Sequence, residues 1–286
     1  MRNIKPPLPF VGHKGHWGNE LAEIAHALPP GCTVFDVFGG SGICSEYIRR
    51  ARPDLTVIWN DFDNYRARLE HVGDTERLRR FFLDALGAPA KKGSYLLPLD
   101  DARRALVFDT LQREEAERGF VDSVTISRWF YLYHNKAPKM SSGAGKLYNR
   151  VQRSPMRFDA CAGWLSGAVR TSVCFTGPHT EFPVDGRSVR PCDFAESQNA
   201  LLILDPPYLS TGCNDYGNRD SLFVLRHIVD CCDRLPFLLF GDLSISFWYD
   251  ALFRGRHVRR YEKQINKVGM NHDTRAEVLF ACLPGD

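Results

Sequence analysis

The sequence lacks any apolar run approaching the roughly 18 residues that a membrane-crossing helix needs, so no transmembrane span is expected. Its opening stretch, MRNIKPPLPF, contains no apolar core of a secretory signal. Charge of one sign is scarce: the formal net charge is only +3, too little to select a partner by itself. The nine cysteines are odd in number and include no C-x-x-C pair. That argues against a zinc site or a disulfide framework and for free thiols in a reducing, cytoplasmic setting. His13, His16 and His26 have no carboxylate cluster around them, so no metal is expected and surface or capping roles are the default. Neither G-x-G-x-x-G in register nor G-x-x-x-x-G-K-[ST] occurs. Gly143–Leu147, GAGKL, lacks both the first glycine and the Ser/Thr of a phosphate-binding loop. There is no internal repeat and no long low-complexity tract.

What is present reads as α/β. CTVFDVFGGSGICSEYIRRA, from Cys32 to Ala51, reads as a strand buried on both faces, a glycine turn and a helix that Ser41 can cap. A second strand, Leu55–Asp61, follows within a few residues and completes a βαβ start. Leu201–Leu204 is another buried strand. Ser221–Leu235 has one apolar helical face. Pro236–Asp242 and Arg275–Leu283 read as further strands. Between Phe62 and Arg170 helical patterns dominate, in Asp74–Leu86, Asp109–Gly119, Ser123–Asn135 and Ser154–Val169. The expected organisation is a core of residues 1–61 and 171–286, with 62–170 as an α-rich insertion. The core should be a mostly parallel sheet with helices on both faces.

The insertion concentrates charge. From Ser123 to Arg170 there are eight basic residues, among them Arg128, Lys136, Lys139, Lys146, Arg150 and Arg153, against the single acid Asp159. Trp129, Phe130, Tyr131, Tyr133 and Tyr148 lie among them. Basic residues mixed with aromatics suit a phosphate-bearing partner, although a solvated basic face over core aromatics has the same composition. Phe253–Lys267 carries six Lys/Arg against one acid and reads equally as a solvated strand edge or a phosphate contact.

Two strand ends carry the candidate chemistry. Gly39, Gly40 and Gly42 allow close backbone approach at the carboxyl end of the first strand, where open α/β sheets bind ligands. Asp61 ends the next strand and could accept two ribose hydroxyls or cap a helix. The ligand could be a dinucleotide or a nucleoside cofactor. The second end is LLILDPPYLST. Pro206 and Pro207 have no N–H, so the Pro206 carbonyl stands beside Asp205 without a competing donor. Two acceptors converging on one point suit an exocyclic NH₂, and Tyr208 adds a flat face for a base. Such acceptors favour rehybridisation of a poorly nucleophilic amino nitrogen and stabilise the charge that grows as it attacks a sulfonium methyl group. A duplex base must flip out to reach the pocket.

On these motifs the chain resembles the Dam-like DNA adenine-N6 methyltransferases that use S-adenosyl-L-methionine. PFVGHKGHW resembles that family's N-terminal element, which implies that Phe10 and Lys14 contact the cofactor. DVFGGSG resembles its glycine turn, with Phe38, Gly40 and Gly42 in place, and VIWNDFD places Asp61 as the ribose acid. CDF resembles the element whose acid holds the cofactor adenine, here Asp193 followed by Phe194. DPPY is the catalytic motif, Asp205 to Tyr208, with Asp205 also beside the cofactor. RWFYLYHN resembles the start of the family's DNA-recognition insertion, which implies DNA contacts from Arg128, Asn135, Lys136, Lys139, Lys146, Arg150 and Arg153. The resemblance implies a Rossmann-like class I methyltransferase sheet with an inserted helical target-recognition domain. It implies double-stranded DNA as partner, no metal, and a monomer or weak dimer. The chain departs in having His13 where the family often has glycine, and in Pro191 within Arg187–Asp193. KAPKMSSGAGKLYNR matches no known target-reading sequence. DPPY also occurs in cytosine-N4 enzymes, and a DNA-binding protein without turnover is a further alternative. Cytosine-C5 chemistry through Cys192 is set aside, because it needs no amino-group acceptor such as Asp205.

Overall fold

The computed structural model describes residues 4–10, 12–61, 63–130, 146–165, 169–171, 182–184, 186–190, 193, 199–206, 235–243, 246, 249, 253, 255–266 and 274–285. The chain divides into two compact units, one of residues 1–6, 12–65 and 167–286, the other of 7–11 and 66–166. Among the described residues no helix is long and apolar enough to cross a membrane.

The first unit holds helices α1 (Gly18–Ala27) and α2 (Ile43–Ala51) and a seven-stranded sheet. Its strands are β1 (Thr33–Asp36), β2 (Thr56–Asn60), β3 (Val169–Thr171), β4 (Ala200–Leu204), β5 (Phe237–Asp242), β6 (Arg259–Asn266) and β7 (Thr274–Cys282). Their spatial order is β6-β7-β5-β4-β1-β2-β3. β5, β4, β1, β2 and β3 run parallel, and β7 is antiparallel to both of its neighbours. Every residue of β1 and β4 is buried, which explains the unbroken apolar sequence of β4 and the apolar centre of β1. Ile58, Phe35, Leu202, Phe237 and Cys282 align in register across five strands and build the core on one face. Val57, Val34 and Leu201 form a matching buried row on the other, and α2 packs against β1 and β2. The expected helix Ser221–Leu235 lies outside the described residues except for Leu235. Phe253–Lys267 yields the edge strand β6, in line with its strand-edge reading.

The order places a switch point between β1 and β4. From β1 the chain steps to β2 on one side, and from β4 to β5 on the other. Ligand crevices in open α/β sheets form outside the strand ends at such a point. The glycine turn follows β1 there, and Asp205 follows β4.

Ser41 does not cap α2. The N-cap is Gly42, in a left-handed conformation (φ 72°) without a side-chain bond. Ser45, one turn further on, bonds back to β1 instead.

The second unit is helical, with α3 (Tyr65–Glu70, whose first residue belongs to the first unit), α4 (Val72–Leu86), α5 (Asp101–Arg118), α6 (Ser123–Trp129) and α7 (Phe158–Leu165). Asp100 and Asp122 cap α5 and α6 by accepting the Arg103 and Thr125 amides. The helix expected from Ser123 to Asn135 ends at Trp129, and Phe130 bridges to Asn149. Inside this unit Glu76 accepts both guanidinium arms of Arg79 at 2.7 Å and the Met156 amide at 3.0 Å. Arg79 in turn donates to the Gln152 and Arg153 carbonyls. The pair therefore clamps the segment carrying Arg150 and Arg153 to α4. The Arg79 bonds hold the Glu76 carboxyl down to about 2 from its ordinary 4.5. A depressed folded value stabilises above the unfolded value and is lost as pH falls through the folded one. Glu76→Gln is expected to cost about 3 kcal/mol at neutral pH. It should also flatten the loss of melting temperature between about pH 4.5 and 2, as thermal melts across that range will read.

Candidate active site

Asp36 ends β1, and Asp205 stands one residue past the end of the adjacent strand β4. Asp36 is buried, and its Oδ2 accepts the Ser45 hydroxyl at 2.7 Å and amide at 3.2 Å. Burial pushes its carboxyl up to about 6 against the pull of Ser45, with a smaller push from the charge of Asp205.

Asp205 is 21% exposed and its Oδ2 lies 2.7 Å from the Lys14 Nζ, which is only 3% exposed. Lys14 Nζ also donates to the Gly12 carbonyl at 2.9 Å and lies 5.6 Å from the Phe240 ring centroid. The buried ammonium thus has a carboxylate, a carbonyl and an aromatic face. Burial raises the Asp205 carboxyl, Lys14 pulls it down, and Glu277 pushes it up.

Local folding explains why Lys14 is there. The turn Gly15–Trp17 follows it directly, and the Trp17 amide donates to the Lys14 carbonyl at 2.9 Å. Glu277 of β7 accepts from His16 Nε2 at 3.0 Å and Trp17 Nε1 at 3.2 Å through one oxygen. Burial favours the neutral Glu277 carboxyl, but His16, Lys14 and Trp17 together hold it at about 2. Tyr47 of α2 donates to the Gly15 carbonyl at 3.0 Å. Lys263 of β6 donates to the His16 carbonyl and to Glu20, both at 2.7 Å. The turn is therefore anchored from α2, β6 and β7.

The glycine turn packs on Trp59, near the end of β2. A Cβ on Gly39 would lie 2.1 Å from Trp59 Cδ1, and one on Gly42 would lie 2.8 Å from Cε2. Gly40 and Gly42 have φ of 49° and 72°, which favour glycine. Internal packing thus uses the missing side chains at 39 and 42, and Phe38 is half-buried against the core.

Asp61 is buried, and its Oδ1 accepts the Tyr65 amide at 2.6 Å, so one oxygen braces the start of α3. Asp193 is exposed, and Arg190 engages both of its oxygens, at 2.8 Å through Nη2 and 3.0 Å through the amide. Phe10 belongs to the segment 7–11 of the second unit, although residues 1–61 were expected to be all core. Pro206 is buried beside Asp205, while Pro207, Tyr208 and Phe194 lie outside the described residues. Arg128, Lys146, Arg150 and Arg153 are exposed in the second unit; Asn135, Lys136 and Lys139 lie outside the described residues.

Sequence reading missed Asp36, His16, Trp17, Trp59 and Glu277. The available signal for Glu277 is a lone acid within the apolar run of β7. Surface or capping roles are the sequence default for His16; its side chain is 30% exposed and pairs with buried Glu277. The four described cysteines, Cys32, Cys44, Cys161 and Cys282, are free and buried. Among the described residues no group of three His, Cys, Asp or Glu could hold a metal ion.

The Lys14–Asp205 pair makes a signed prediction. If ionised Asp205 is required for turnover, Lys14→Met removes the charge that lowers its carboxyl, so the acid limb of the kcat/KM profile should move to higher pH. An acid limb that stays in place would separate Lys14 from the ionisation of Asp205.

No family model matches the chain. Over 249 residues, covering 84% of this chain and 77% of the relative, it is 28% identical to a Haemophilus influenzae protein named "Putative methyltransferase". The crystal structure of precorrin 8w decarboxylase from Methanobacterium thermoautotrophicum aligns over 97% of this chain and 95% of that one, at 9% identity and a TM-score of 0.33. A likeness that low carries no argument. The mixed, mostly parallel sheet is consistent with the methyltransferase fold expected from the motifs.

Proposed function

We propose that the chain is a DNA methyltransferase acting on N6 of a flipped-out adenine in double-stranded DNA, with S-adenosyl-L-methionine as methyl donor. Its similarity to a relative named for methyl transfer supports the methyltransferase class. The observation that carries the finer reading is Asp205 at the switch point, with Oδ2 fixed by buried Lys14. Among the described residues no donor reaches its Oδ1.

In this reading Asp205 Oδ1 and the Pro206 carbonyl accept hydrogen bonds from the adenine amino group, and Tyr208 stacks on the base. Asp205 stabilises the positive charge that grows on nitrogen, and Lys14 orients the carboxylate and favours its ionised form against burial. The rigid Pro206-Pro207 step holds the acceptors in place. The donor set fits a cationic cofactor: the carboxylates of Asp36, Asp205 and Glu277 lie close enough to Lys14 or to one another to interact electrostatically. That cofactor would supply an electrophilic sulfonium methyl group. Phe10, Lys14, Phe38, Gly40, Gly42, Asp193, Phe194 and Asp205 are its proposed contacts, with the second oxygen of Asp61 for the ribose. Arg128, Lys146, Arg150 and Arg153, with Asn135, Lys136 and Lys139, are proposed to meet the DNA.

Incubation with methyl-labelled S-adenosyl-L-methionine and duplex DNA, followed by nucleoside analysis, tests the reading. Label in N6-methyladenine supports it. Label in N4-methylcytosine reassigns the base, and DNA binding without transfer leaves a binding module.

A further inference from the structure

Every large hydrophobic residue that is exposed among the described residues lies in the second unit: Phe81, Tyr95, Leu97, Val124 and Phe158. Tyr95 is the extreme, at 78%, with Leu97 at 42%. Both lie on a small hairpin in which Lys91 pairs with Leu96 and Lys92 with Tyr95. The Leu97 amide closes the ladder onto the Ala90 carbonyl at 2.8 Å, and Gly93 turns the chain with φ 62°. Directly paired residues share a face, so Lys92, Tyr95 and Leu97 stand on one side of the ribbon. Lys91, Lys92 and Tyr95 are all exposed. A two-stranded ribbon is marginal in water, and a ring left at its tip contributes little to folding.

The hairpin is continuous with the basic segment. Pro98 bridges to Tyr148, and the Leu99 amide donates to the Leu147 carbonyl at 2.7 Å. Phe130 bridges to Asn149, and the Arg150 amide donates to the Trp129 carbonyl at 2.7 Å. Backbone pairing thus joins Lys91 and Lys92 through Lys146 to Arg150 and the end of α6, where Arg128 sits. Asp100 and Asp101, which follow the hairpin in sequence, are each matched by an arginine one turn on, Arg103 at 3.6 Å and Arg104 at 3.4 Å.

We infer that the hairpin Lys91–Leu97 is a second contact for duplex DNA, with Lys91 and Lys92 on phosphates and the Tyr95 ring against a sugar or base of the same strand. The inference rests on the duplex-DNA reading above and adds residues to it. Charge complementarity selects the partner: an exposed aromatic paired with Lys92, with Lys91 adjacent on the other face of the ribbon, suits a polyanion that carries planar groups.

Fluorescence anisotropy of the full-length protein on a fluorescein-labelled DNA duplex of mixed sequence tests this across a salt series. The Lys91→Ala/Lys92→Ala variant should lower the slope of log affinity against log salt by about 1 to 2. Tyr95→Ala should weaken binding about tenfold at unchanged slope, and Tyr95→Phe should restore it. All three sites are exposed, so melting temperatures should match wild type. If wild type binds and the variants bind identically, the hairpin inference is overturned and the DNA reading stands. If wild type does not bind duplex at low salt, the DNA reading falls and takes the hairpin with it. Tighter binding to an RNA hairpin than to the duplex would overturn the choice of partner.

Discussion

Asp205→Asn is expected to abolish methyl transfer with the fold kept, whereas Asp205→Ala will also weaken the fold. The difference lies in Lys14. Its side chain is 3% exposed and its ammonium is paired with Asp205 at 2.7 Å. Asparagine retains a carbonyl that can accept from Lys14 but loses the negative charge. Alanine removes both and takes the ion-pair partner from a buried cation, which costs about 3 kcal/mol. Loss of the charge-stabilising group should lower transfer by about two to three orders of magnitude. The double variant Lys14→Met/Asp205→Ala then separates the roles: much of the lost stability should return, and none of the lost transfer. Urea unfolding and label transfer on the same preparations read both quantities. Turnover by Asp205→Asn within about tenfold of wild type would remove Asp205 from the chemistry.

Gly39→Ala should be the most damaging single methyl in the glycine turn. The added Cβ would meet Trp59 Cδ1 at 2.1 Å, Nε1 at 2.6 Å and the Asn60 carbonyl at 2.9 Å. The indole is buried, and Asn60 is itself locked by its side-chain amide to the Val37 carbonyl at 2.9 Å. Neither neighbour can retreat without moving the end of β2 or the glycine turn. Overpacking of this kind costs about 1–3 kcal/mol, and this case belongs at the upper end because backbone is among the obstacles. If the turn and Asp61 hold the cofactor as proposed, its affinity should fall as well, since both sit on the displaced segments. Trp59→Leu in the Gly39→Ala background should recover part of the stability. Equal melting temperatures for wild type and Gly39→Ala would show that the turn is not seated on the indole.

How much of this was legible before folding depends on the range of the interaction. Strands β1, β2, β4, β5 and β7 were readable because each is a short apolar run between turn residues. The position of Asp205 and Pro206 just past a strand was readable because the apolar run and the proline that ends it lie in consecutive positions. Helix ends were less so: α6 stops at Trp129, since Phe130 pairs with Asn149, and α2 starts at Ile43 because Gly42 supplies the left-handed turn. Asp61 illustrates the limit well. Its position allowed both a cap and a ligand contact, and the 2.6 Å bond from the Tyr65 amide commits one oxygen to the first.

The sequence alone determined an α/β core, a run from Ser123 to Arg170 rich in basic and aromatic residues, and the acid just past the fourth strand, because patterning and composition are properties of neighbouring residues. Only the tertiary structure decided that Lys14 closes on Asp205 and that Glu277, 261 residues from His16, holds the turn that carries it. Such pairs exist because β7 inserts between β5 and β6 and brings a carboxylate to the edge where β1 and β4 part. Strand order is set by the packing of the whole sheet, and no local run of residues encodes it.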